Sequence, residues 1–441
     1  MKNVKRDIQR FNYLIFIVLI LFSTGFSALA QAEFNEVLTF ESNIDPQGII
    51  EFKNRSFDVE VKTWKNNTVE LQMDVKLKAK NQGEIDITVD AIKSIEFEGH
   101  GSRFSINTLF WESMTSSVNH KLKLINGKKA VLKDFEIRIT LFVPKTILME
   151  IDSKYADIKM EEIAGTAKIK IYSGKLYGDS FGSSLELDMR YSKAYLQTIP
   201  EAKMELYDSD IEFTTCGNID LKSKYSKIEI EHCGDLAFDS FDDNITIGNL
   251  GSFDGSAKYS EFEIGTSSSI TFDFYDSDLK GGKTGNVNGQ SKYSELRIDE
   301  AEAVMLSGSF DDSFVFGSIL SFECRESKYS DFEIDELKEA FKLQSYDDNV
   351  TIDKLAPDFS EFVIEGKYGD YRITIPENAA YRLLIDMKYG KIDYPEELFV
   401  RKTYISENSN MFLDATTKNS PDENSRIVDI KGHDNRIFIN N

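Results

Sequence analysis

The sequence predicts an all-β fold: a right-handed parallel β-solenoid of about 17–18-residue coils, preceded by an N-terminal β-rich cap. Two observations indicate this fold. An apolar residue follows a Lys-Tyr or aromatic-Asp pair at a nearly constant spacing of 17 or 18 residues. Within each repeat, apolar and polar residues alternate, which is the pattern of a strand with one buried face.

The period holds over about 200 residues, which is long enough to exclude coincidence. Its twelve anchor residues are Ile158, Leu176, Ala194, Ile211, Ile228, Ile245, Phe262, Leu279, Leu296, Phe314, Phe332 and Val350. Looser copies follow at Tyr371 and Ile392, and a further copy at Ile437 ends the chain. A unit this short cannot bury its own apolar face, so the units must stack, and parallel crossovers are right-handed. A propeller blade needs about 40–50 residues, and sandwich strands lack a fixed period, so the solenoid is favoured.

Each unit has the same internal order, as the unit that begins at Ile228 illustrates. A strand with apolar residues on one face ends at Cys233, which we expect to point inward, and Gly234 then turns the chain into a second strand. Glycines recur at this turn, at Gly251 and Gly285, where we expect a positive φ. Two short strands and two corners therefore make one coil.

Residues 1–30 have the three parts of a secretory signal peptide. A basic head is followed by the apolar stretch YLIFIVLILFSTGFSALA, which ends at the small-x-small cleavage site Ala28-Leu29-Ala30. We expect cleavage there and export to the periplasm or to the cell surface and extracellular space. No later stretch has the roughly 18 unbroken apolar residues of a membrane helix, so we expect no transmembrane segment after cleavage.

The regions that flank the repeats are predicted from their different patterns. Residues 31–150 alternate as antiparallel strands do, include a short helix in EIDITVDAIKSIEFEG, and are expected to cap one end of the solenoid. Residues 151–395 form the solenoid repeats. Residues 396–441 are a polar loop or hairpin, which could cover the other end, and a closing strand.

The charge of the chain excludes some partners. The formal net charge is −23, and the signal segment carries a net +3, so the mature chain would carry −26. Such a chain repels nucleic acid and anionic lipid, and we expect neither as a direct partner. A hydrophobic content of 41% with 32 Phe and 19 Tyr argues for a folded chain and against disorder.

Two segments carry a family resemblance: VPKTILMEIDSKYADIKMEEIAGTAKIKIYSGKLYGDSFGSSLEL, and GDYRITIPENAAYRLLIDMKYGKIDYP at 369–395. They resemble the adhesin families of bacterial envelope β-solenoid proteins, of the auto-transporter adhesin head-like or GIN type. Those chains run from a Val-Pro strand into repeated strands with Gly turns, and the second segment resembles their closing pattern. The resemblance covers most of the mature chain and lies in the spacing of strands and turns, not in sharp motifs. It implies a secreted or periplasmic right-handed solenoid, and it brings no catalytic residues.

Two alternating columns precede the anchors. Four residues before the eight anchors from Ile228 to Val350 stand Lys224, Phe241, Lys258, Tyr275, Lys292, Phe310, Lys328 and Tyr346. Three residues before the same anchors stand Tyr225, Asp242, Tyr259, Asp276, Tyr293, Asp311, Tyr329 and Asp347. Arg190 with Tyr191, and then Tyr207 with Asp208, join the pattern at its start. Stacking should place Lys over an aromatic residue in one column and Tyr over Asp in the next.

These columns have two interpretations. As a register device, alternation separates like charges from ~4.8 Å to ~9.6 Å, near the Debye length, and so avoids a repulsion of about 1 kcal/mol per pair. Each Lys can also lie against a ring for about 0.5–1 kcal/mol, and a slip of one coil would stack Lys on Lys. As a binding stripe, the regular rings and charges would suit an extended glycan, a strand or a protein surface.

Neither a metal nor another cofactor is expected. Five aspartate pairs look like calcium ligands, but they fall on every second coil with a Lys between them: Asp208/Asp210, Asp242/Asp243, Asp276/Asp278, Asp311/Asp312 and Asp347/Asp348. Calcium needs six to eight oxygens, and the glycine-rich nonapeptide of calcium β-rolls is missing.

The cysteines form a candidate pair. Cys216 and Cys233 hold the same inward position on successive coils, so a disulfide or a pair of buried thiols is expected there. Cys324 lies on the other strand and should be unpaired.

Catalytic motifs are missing, because the four His residues have no metal spacing and no nucleophile elbow or phosphate loop occurs. We therefore expect a non-enzymatic envelope protein that presents a repetitive acidic, Tyr-rich surface for adhesion or scaffolding. The alternative is a glycan-binding module or a polysaccharide-acting β-helix enzyme that uses the Tyr/Lys/Asp stripe. The expected partner is an envelope protein or a glycan, and the sequence leaves its identity and the oligomeric state open.

Overall fold

The structure is a computed structural model that describes residues 31–116, 118–419 and 426–441. The predicted signal peptide, 1–30, lies outside the described residues. The chain divides into two compact units, one ending at Pro144 and one beginning at Lys145, so the division precedes the predicted boundary at 150. Among the described residues, no helix has the length and apolar composition of a membrane span.

The first unit contains nine strands and one helix in its described part. They are β1 (Ala32–Asn43), β2 (Ile49–Arg55), β3 (Val59–Trp64), β4 (Thr68–Ala79), α1 (Gln82–Lys93), β5 (Glu96–His100), β6 (Arg103–Asn107), β7 (Trp111–Ser116), β8 (His120–Leu124) and β9 (Lys129–Pro144).

The first unit is mainly antiparallel, as its alternating sequence predicts. β4 pairs antiparallel with both β1 and β9, and two pairs, β2–β6 and β3–β9, are parallel. The predicted short helix is present as α1, and the Asn81 side chain caps it by accepting from the Glu84 N–H at 3.1 Å. The role of this unit as a cap stays a prediction.

The second unit begins with shorter strands and continues with long ones. The first are β10 (Leu148–Lys154), β11 (Ile158–Met160), β12 (Ala167–Tyr172), β13 (Lys175–Ser180), β14 (Ser184–Arg190), β15 (Lys193–Tyr207), β16 (Asp210–Lys224), β17 (Lys227–Cys233) and β18 (Leu236–Phe241). The next are β19 (Asn244–Lys258), β20 (Glu261–Tyr275), β21 (Asp278–Lys292), β22 (Glu295–Phe310), β23 (Ser313–Lys328), β24 (Asp331–Tyr346) and β25 (Asn349–Ile352). The last are β26 (Glu361–Lys367), β27 (Asp370–Thr374), β28 (Tyr381–Lys388), β29 (Lys391–Asp393), β30 (Phe399–Glu407), β31 (Asn410–Thr417), β32 (Arg426–His433) and β33 (Arg436–Asn440), with a 3₁₀ turn at Glu396–Leu398.

The predicted β-solenoid is confirmed, because successive coils pair in parallel at the predicted period. Ile158 is the register partner of Leu176, and the contact is repeated from anchor to anchor up to Val350. All twelve anchors are buried. Burial of one apolar side chain per coil at this position contributes about 1.5–3 kcal/mol each, so the column is a main stabilising element of the unit.

The predicted positive φ at the glycine turns is wrong. Neither Gly251 nor Gly285 has a left-handed backbone. Glycine is required there because the backbone of the preceding coil is close: an added Cβ would lie 2.7 Å from the Gly234 carbonyl oxygen at Gly251, and 2.3 Å from the Ser268 carbonyl oxygen at Gly285. The left-handed residues lie at the opposite corner of each coil.

The last coil in the sequence is not the last coil in space. Ile437 stacks between Tyr371 and Ile392, and β32–β33 pairs in parallel with β26–β27 on one side and with β28–β29 on the other. The predicted polar segment forms the hairpin β30–β31, which pairs antiparallel with β28. A bidentate contact of Arg382 with Asp414, at 2.8 Å for both bonds, fastens that hairpin to β28.

The inserted position of β33 predicts that Ile437→Ala destabilises the solenoid as a core substitution does. Ile437 is buried between two coils, so we expect a loss of about 2–5 kcal/mol in the free energy of unfolding, measured by denaturant titration. Ile427→Ala is the matched control, because Ile427 lies on β32 with 37% of its surface exposed. Equal losses for the two variants would contradict the inserted arrangement.

Candidate functional site

One corner of every coil contains a residue in the left-handed conformation, with φ between 47° and 65°. We call these residues the corner column: Tyr155, Ser173, Tyr191, Asp208, Tyr225, Asp242, Tyr259, Asp276, Tyr293, Asp311, Tyr329, Asp347, Tyr368, Asp434 and Tyr389. Asp visits this conformation readily, whereas Tyr adopts it at a cost of about 1–2 kcal/mol. All eight members of the predicted Tyr/Asp column occupy this corner.

The residue before each corner forms the lateral column, in which register partners alternate between cationic and aromatic residues. Its members are Lys154, Tyr172, Arg190, Tyr207, Lys224, Phe241, Lys258, Tyr275, Lys292, Phe310, Lys328, Tyr346, Lys367, His433 and Lys388. The structure therefore stacks all eight predicted Lys/aromatic residues and extends the column at both ends. The two columns together are the corner stripe.

Aromatic rings of the two columns form a zigzag of two runs. From Tyr155 to Tyr293, nine rings make eight successive edge-on contacts, with centroids 5.4–5.9 Å apart and interplanar angles of 74–89°. A second run leads from Tyr329 through Tyr346 and Tyr368 to His433. Each corner ring thus touches the lateral ring of a neighbouring coil.

These ring contacts explain how tyrosine is tolerated at the left-handed corner. Tyr225, for example, contacts both Tyr207 and Phe241, at 5.6 Å in each case. Two such contacts are worth about 1–3 kcal/mol, which is similar to the cost of the left-handed backbone. The ring zigzag therefore offsets the strain of the corners.

The lysines of the stripe lie on rings in several places. The ammonium groups of Lys224 and Lys328 lie 5.8 Å and 5.4 Å from the ring centres of Phe241 and Phe310, and that of Lys292 lies 4.7 Å from the ring of Tyr293. Across the described part of the solenoid, no ion pair joins a stripe cation to an aspartate of the corner column. The charges of the two columns are therefore not neutralised by one another at close range.

A buried hydrogen-bond chain, which the sequence reasoning missed, lies directly behind the corner column. The residue after eleven of the fifteen corners accepts, through its side-chain oxygen, from the backbone N–H of the equivalent residue on the preceding coil. The other four corners are followed by Ala156, Gly174, Gly369 and Gly390, which have no side-chain oxygen. The acceptors are Ser192, Ser209, Ser226, Asp243, Ser260, Ser277, Ser294, Asp312, Ser330 and Asp348, at 2.8–3.3 Å. Asn435 repeats the contact by accepting from the Gly369 N–H at 3.0 Å. This chain ties each corner to the next.

Three of these acceptors are buried carboxylates. The Asp243 Oδ1 atom accepts from the Ser226 N–H at 2.8 Å and from the Ser223 hydroxyl at 3.0 Å. Its Oδ2 atom accepts from the Ser240 hydroxyl at 2.6 Å and from the Phe241 N–H at 3.1 Å. Asp312 repeats all four contacts on its own coil pair. Asp243 and Asp312 therefore each accept from two backbone N–H groups and two serine hydroxyls.

Burial sets the protonation of these carboxylates. Burial raises the pKa values of Asp243 and Asp312 above the ordinary value for aspartate, and it raises the pKa of Asp348 to about 6. Hydrogen bonds from serine and backbone donors oppose this rise in pKa. Within the described residues, no group of three or more His, Cys, Asp or Glu side chains converges as a metal site would.

A sequence signal for the buried carboxylates exists. Ser240, Ser309 and Ser345 stand three residues before the buried aspartates, and Ser223, Ser291 and Ser327 hold the same position one coil earlier. Leu206 and Phe274 hold this position before Ser209 and Ser277. Serine at this position on two successive coils therefore accompanies a buried carboxylate.

Cys216 and Cys233 are register partners on adjacent coils, and both are buried free thiols. Burial raises the pKa of each thiol to about 12, and the neighbouring Cys233 adds to the shift at Cys216. The Cys233 thiol donates to the Gly217 carbonyl at 3.6 Å. Cys324 is also a buried free thiol, with its pKa raised to about 12.

A second surface feature was not predicted from the sequence. The rings of Tyr177 and Tyr195 stack 5.3 Å apart at 12° on one face of the solenoid, inside a groove of about 600 Å³. Asp179, Glu212 and Glu229 line the same groove. These two tyrosines lie outside the Lys-Tyr/aromatic-Asp pairs from which the candidate residues were taken.

Comparisons with known proteins assign the chain to no family. No protein-family model matches the chain, and no curated protein does. A crystal structure from Clostridium sporogenes, described as a "putative cell adhesion protein", is similar at 10% identity, with 92% of this chain and 99% of that chain covered and a TM-score of 0.17. The resemblance to the adhesin families therefore stays a prediction.

The buried carboxylates predict that Asp348→Asn reduces the pH dependence of stability. Since the folded-state pKa is raised, Asp348 binds its proton more tightly in the folded chain, so its contribution to stability is complete below pH ~4 and is lost as pH rises through about 6. We expect the variant to lose about 3 kcal/mol less than the wild type between pH 4 and 7, measured by denaturant titration. Asp347→Asn, on the exposed neighbour, is the control and should keep the wild-type slope. Identical slopes for Asp348→Asn and the wild type would contradict this.

The buried thiols predict slow labelling of the native chain. With the pKa of all three cysteines near 12, the thiolate is scarce at neutral pH, so a thiol reagent should modify Cys216, Cys233 and Cys324 only after unfolding. Absorbance of the released chromophore, with and without denaturant, measures this. Rapid labelling of the native protein, or fewer than three thiols after unfolding without reductant, would contradict the prediction.

Proposed function

We propose that this chain is a non-enzymatic, exported envelope protein whose solenoid presents the corner stripe to a partner in adhesion or scaffolding. The observation that carries the proposal is the continuity of the stripe. Twelve of its tyrosines are 37–54% exposed and follow one line through the described coils. Exposed aromatic surface of this extent exceeds the scattered apolar residues of an ordinary surface and is typical of interaction sites.

The rings of the stripe are held in place before any partner arrives. Their edge-on contacts at 5.4–5.9 Å restrict the side chains of Tyr191, Tyr225 and Tyr259 on both sides. Binding then costs little side-chain entropy, which favours tyrosine as a contact residue. The carboxylates of the stripe repeat the same geometry on every second coil, whereas a catalytic site is a single break in a repeat.

A second candidate function is glycan binding, and the groove at Tyr177 and Tyr195 favours it. Two parallel rings with adjacent carboxylates offer flat apolar faces for sugar rings and acceptors for their hydroxyl groups. This groove and the corner stripe use different tyrosines, so substitutions can separate the two functions.

The first proposal predicts that Tyr259→Ala with Tyr293→Ala weakens adhesion by about tenfold or more, because each truncation removes an exposed, preordered ring. Beads coated with the mature chain would be tested for adhesion to envelope fragments, to arrayed glycans and to beads that carry the same protein.

Tyr177→Ala with Tyr195→Ala is the matched control, with one half-buried ring and one exposed ring removed from outside the stripe. Loss of glycan binding in this control alone would favour the second candidate. If the Tyr259 and Tyr293 substitutions lower only the melting temperature and leave adhesion intact, the stripe is structural and the first proposal fails.

A further inference from the structure

We infer that the corner stripe recognises a second copy of itself, with the two stripes face to face and antiparallel. The inference rests on the proposed function and names its partner.

The stripe differs in charge from the rest of the chain. It holds eight cationic residues, Lys154, Arg190, Lys224, Lys258, Lys292, Lys328, Lys367 and Lys388. Its six carboxylates are Asp208, Asp242, Asp276, Asp311, Asp347 and Asp434. The stripe is therefore close to neutral on a chain whose net charge is −23. Two copies repel one another through their acidic surfaces, and this repulsion is weakest where stripe meets stripe.

The charges of the stripe are self-complementary. Coils with a cation and a tyrosine alternate with coils that hold an aromatic residue and an aspartate. When a second stripe is turned by a two-fold rotation, each cation-tyrosine coil can face an aromatic-aspartate coil. Every ammonium group then faces a ring and lies one column from a carboxylate of the other copy. A shift by one coil, ~4.8 Å, would oppose ammonium to ammonium, so the register is specified.

The side chains at the centre of the stripe remain available for this contact, whereas Arg190 and Lys328 pair with Asp188 and Glu326 outside it. In the described coils, no ion pair joins the ammonium groups of Lys224, Lys258 or Lys292 to the corner aspartates, and Tyr225, Tyr259 and Tyr293 are 45–47% exposed. Ring-to-ammonium contacts that are half-exposed in one chain become desolvated between two chains, where each is worth more. The repeated rings supply apolar area, and the alternating charges select the partner.

A charge-exchange experiment tests the inference. One variant carries Lys224→Glu, Lys258→Glu and Lys292→Glu, and the other carries Asp242→Lys, Asp276→Lys and Asp311→Lys. We expect the wild type to self-associate in sedimentation equilibrium, with weaker association in high salt. Each variant alone should associate at least tenfold more weakly, since like charges then face one another. An equal mixture of the two should regain association as a mixed dimer, detected with one variant labelled.

A variant with Lys170→Glu, Lys203→Glu and Lys222→Glu is the matched control. It makes the same change in net charge as the Lys→Glu variant, on exposed residues outside the stripe, and it should associate as the wild type does. Circular dichroism and the melting temperature of each variant confirm that it is folded before association is compared.

The inference is overturned if the wild type stays monomeric up to its solubility limit, or if the mixture of variants associates no better than either alone. Adhesion to envelope fragments that depends on Tyr259 and Tyr293 would still support the proposed function in that case. If the wild type neither self-associates nor adheres to envelope fragments, both the inference and the proposed function are rejected.

Discussion

Every coil of the solenoid closes through one left-handed residue, and the rest of the fold depends on how that corner is held. The backbone there is strained for tyrosine, which occupies eight of the fifteen corners. Two interactions hold it in place: the ring zigzag on the outside and the buried serine, aspartate and asparagine chain on the inside. The inner chain satisfies backbone N–H groups that would otherwise be buried without a partner, a loss that costs about 1–3 kcal/mol each. Because both interactions link neighbouring coils, a corner is stable only within the stack.

The same corner joins structure to candidate function. The residues that offset the backbone strain are the ones that remain exposed, so the register device and the binding stripe are one set of side chains. Tyr225, Tyr259 and Tyr293 each contact rings of neighbouring coils and still expose 45–47% of their surface. The two interpretations that the sequence leaves open are therefore compatible, and a substitution in the stripe acts on stability and on binding at once.

Much of the architecture could be predicted from the sequence, because apolar residues that must face inward recur at the period of the coils. The anchors from Ile158 to Val350 and the Lys/aromatic stacking follow from spacing alone. The left-handed corner could not be predicted this way, because tyrosine rarely adopts it and the glycines that usually mark it stand at the other corner, as Gly251 and Gly285 do. The roles of Asp243, Asp312 and Asp348 were missed because adjacent aspartates resemble metal ligands, and only burial reveals that they serve backbone donors. The insertion of β33 has no local signal, since its partners lie far away in the sequence.

The position of β32–β33 has a consequence for the order of assembly. Each inner coil completes its pairing with the residues that come next in the chain, whereas Lys367 pairs with His433, across a long stretch of intervening sequence. Non-local pairing of this kind is slow, because the entropy of loop closure is lost before any stabilising contact forms. A chain that emerges from its N-terminus can therefore wind its coils in sequence, but the gap between β26 and β28 stays open until β32 and β33 arrive. A chain that lacks β32 and β33 leaves the facing edges of β26 and β28 unpaired. Unpaired strand edges promote aggregation.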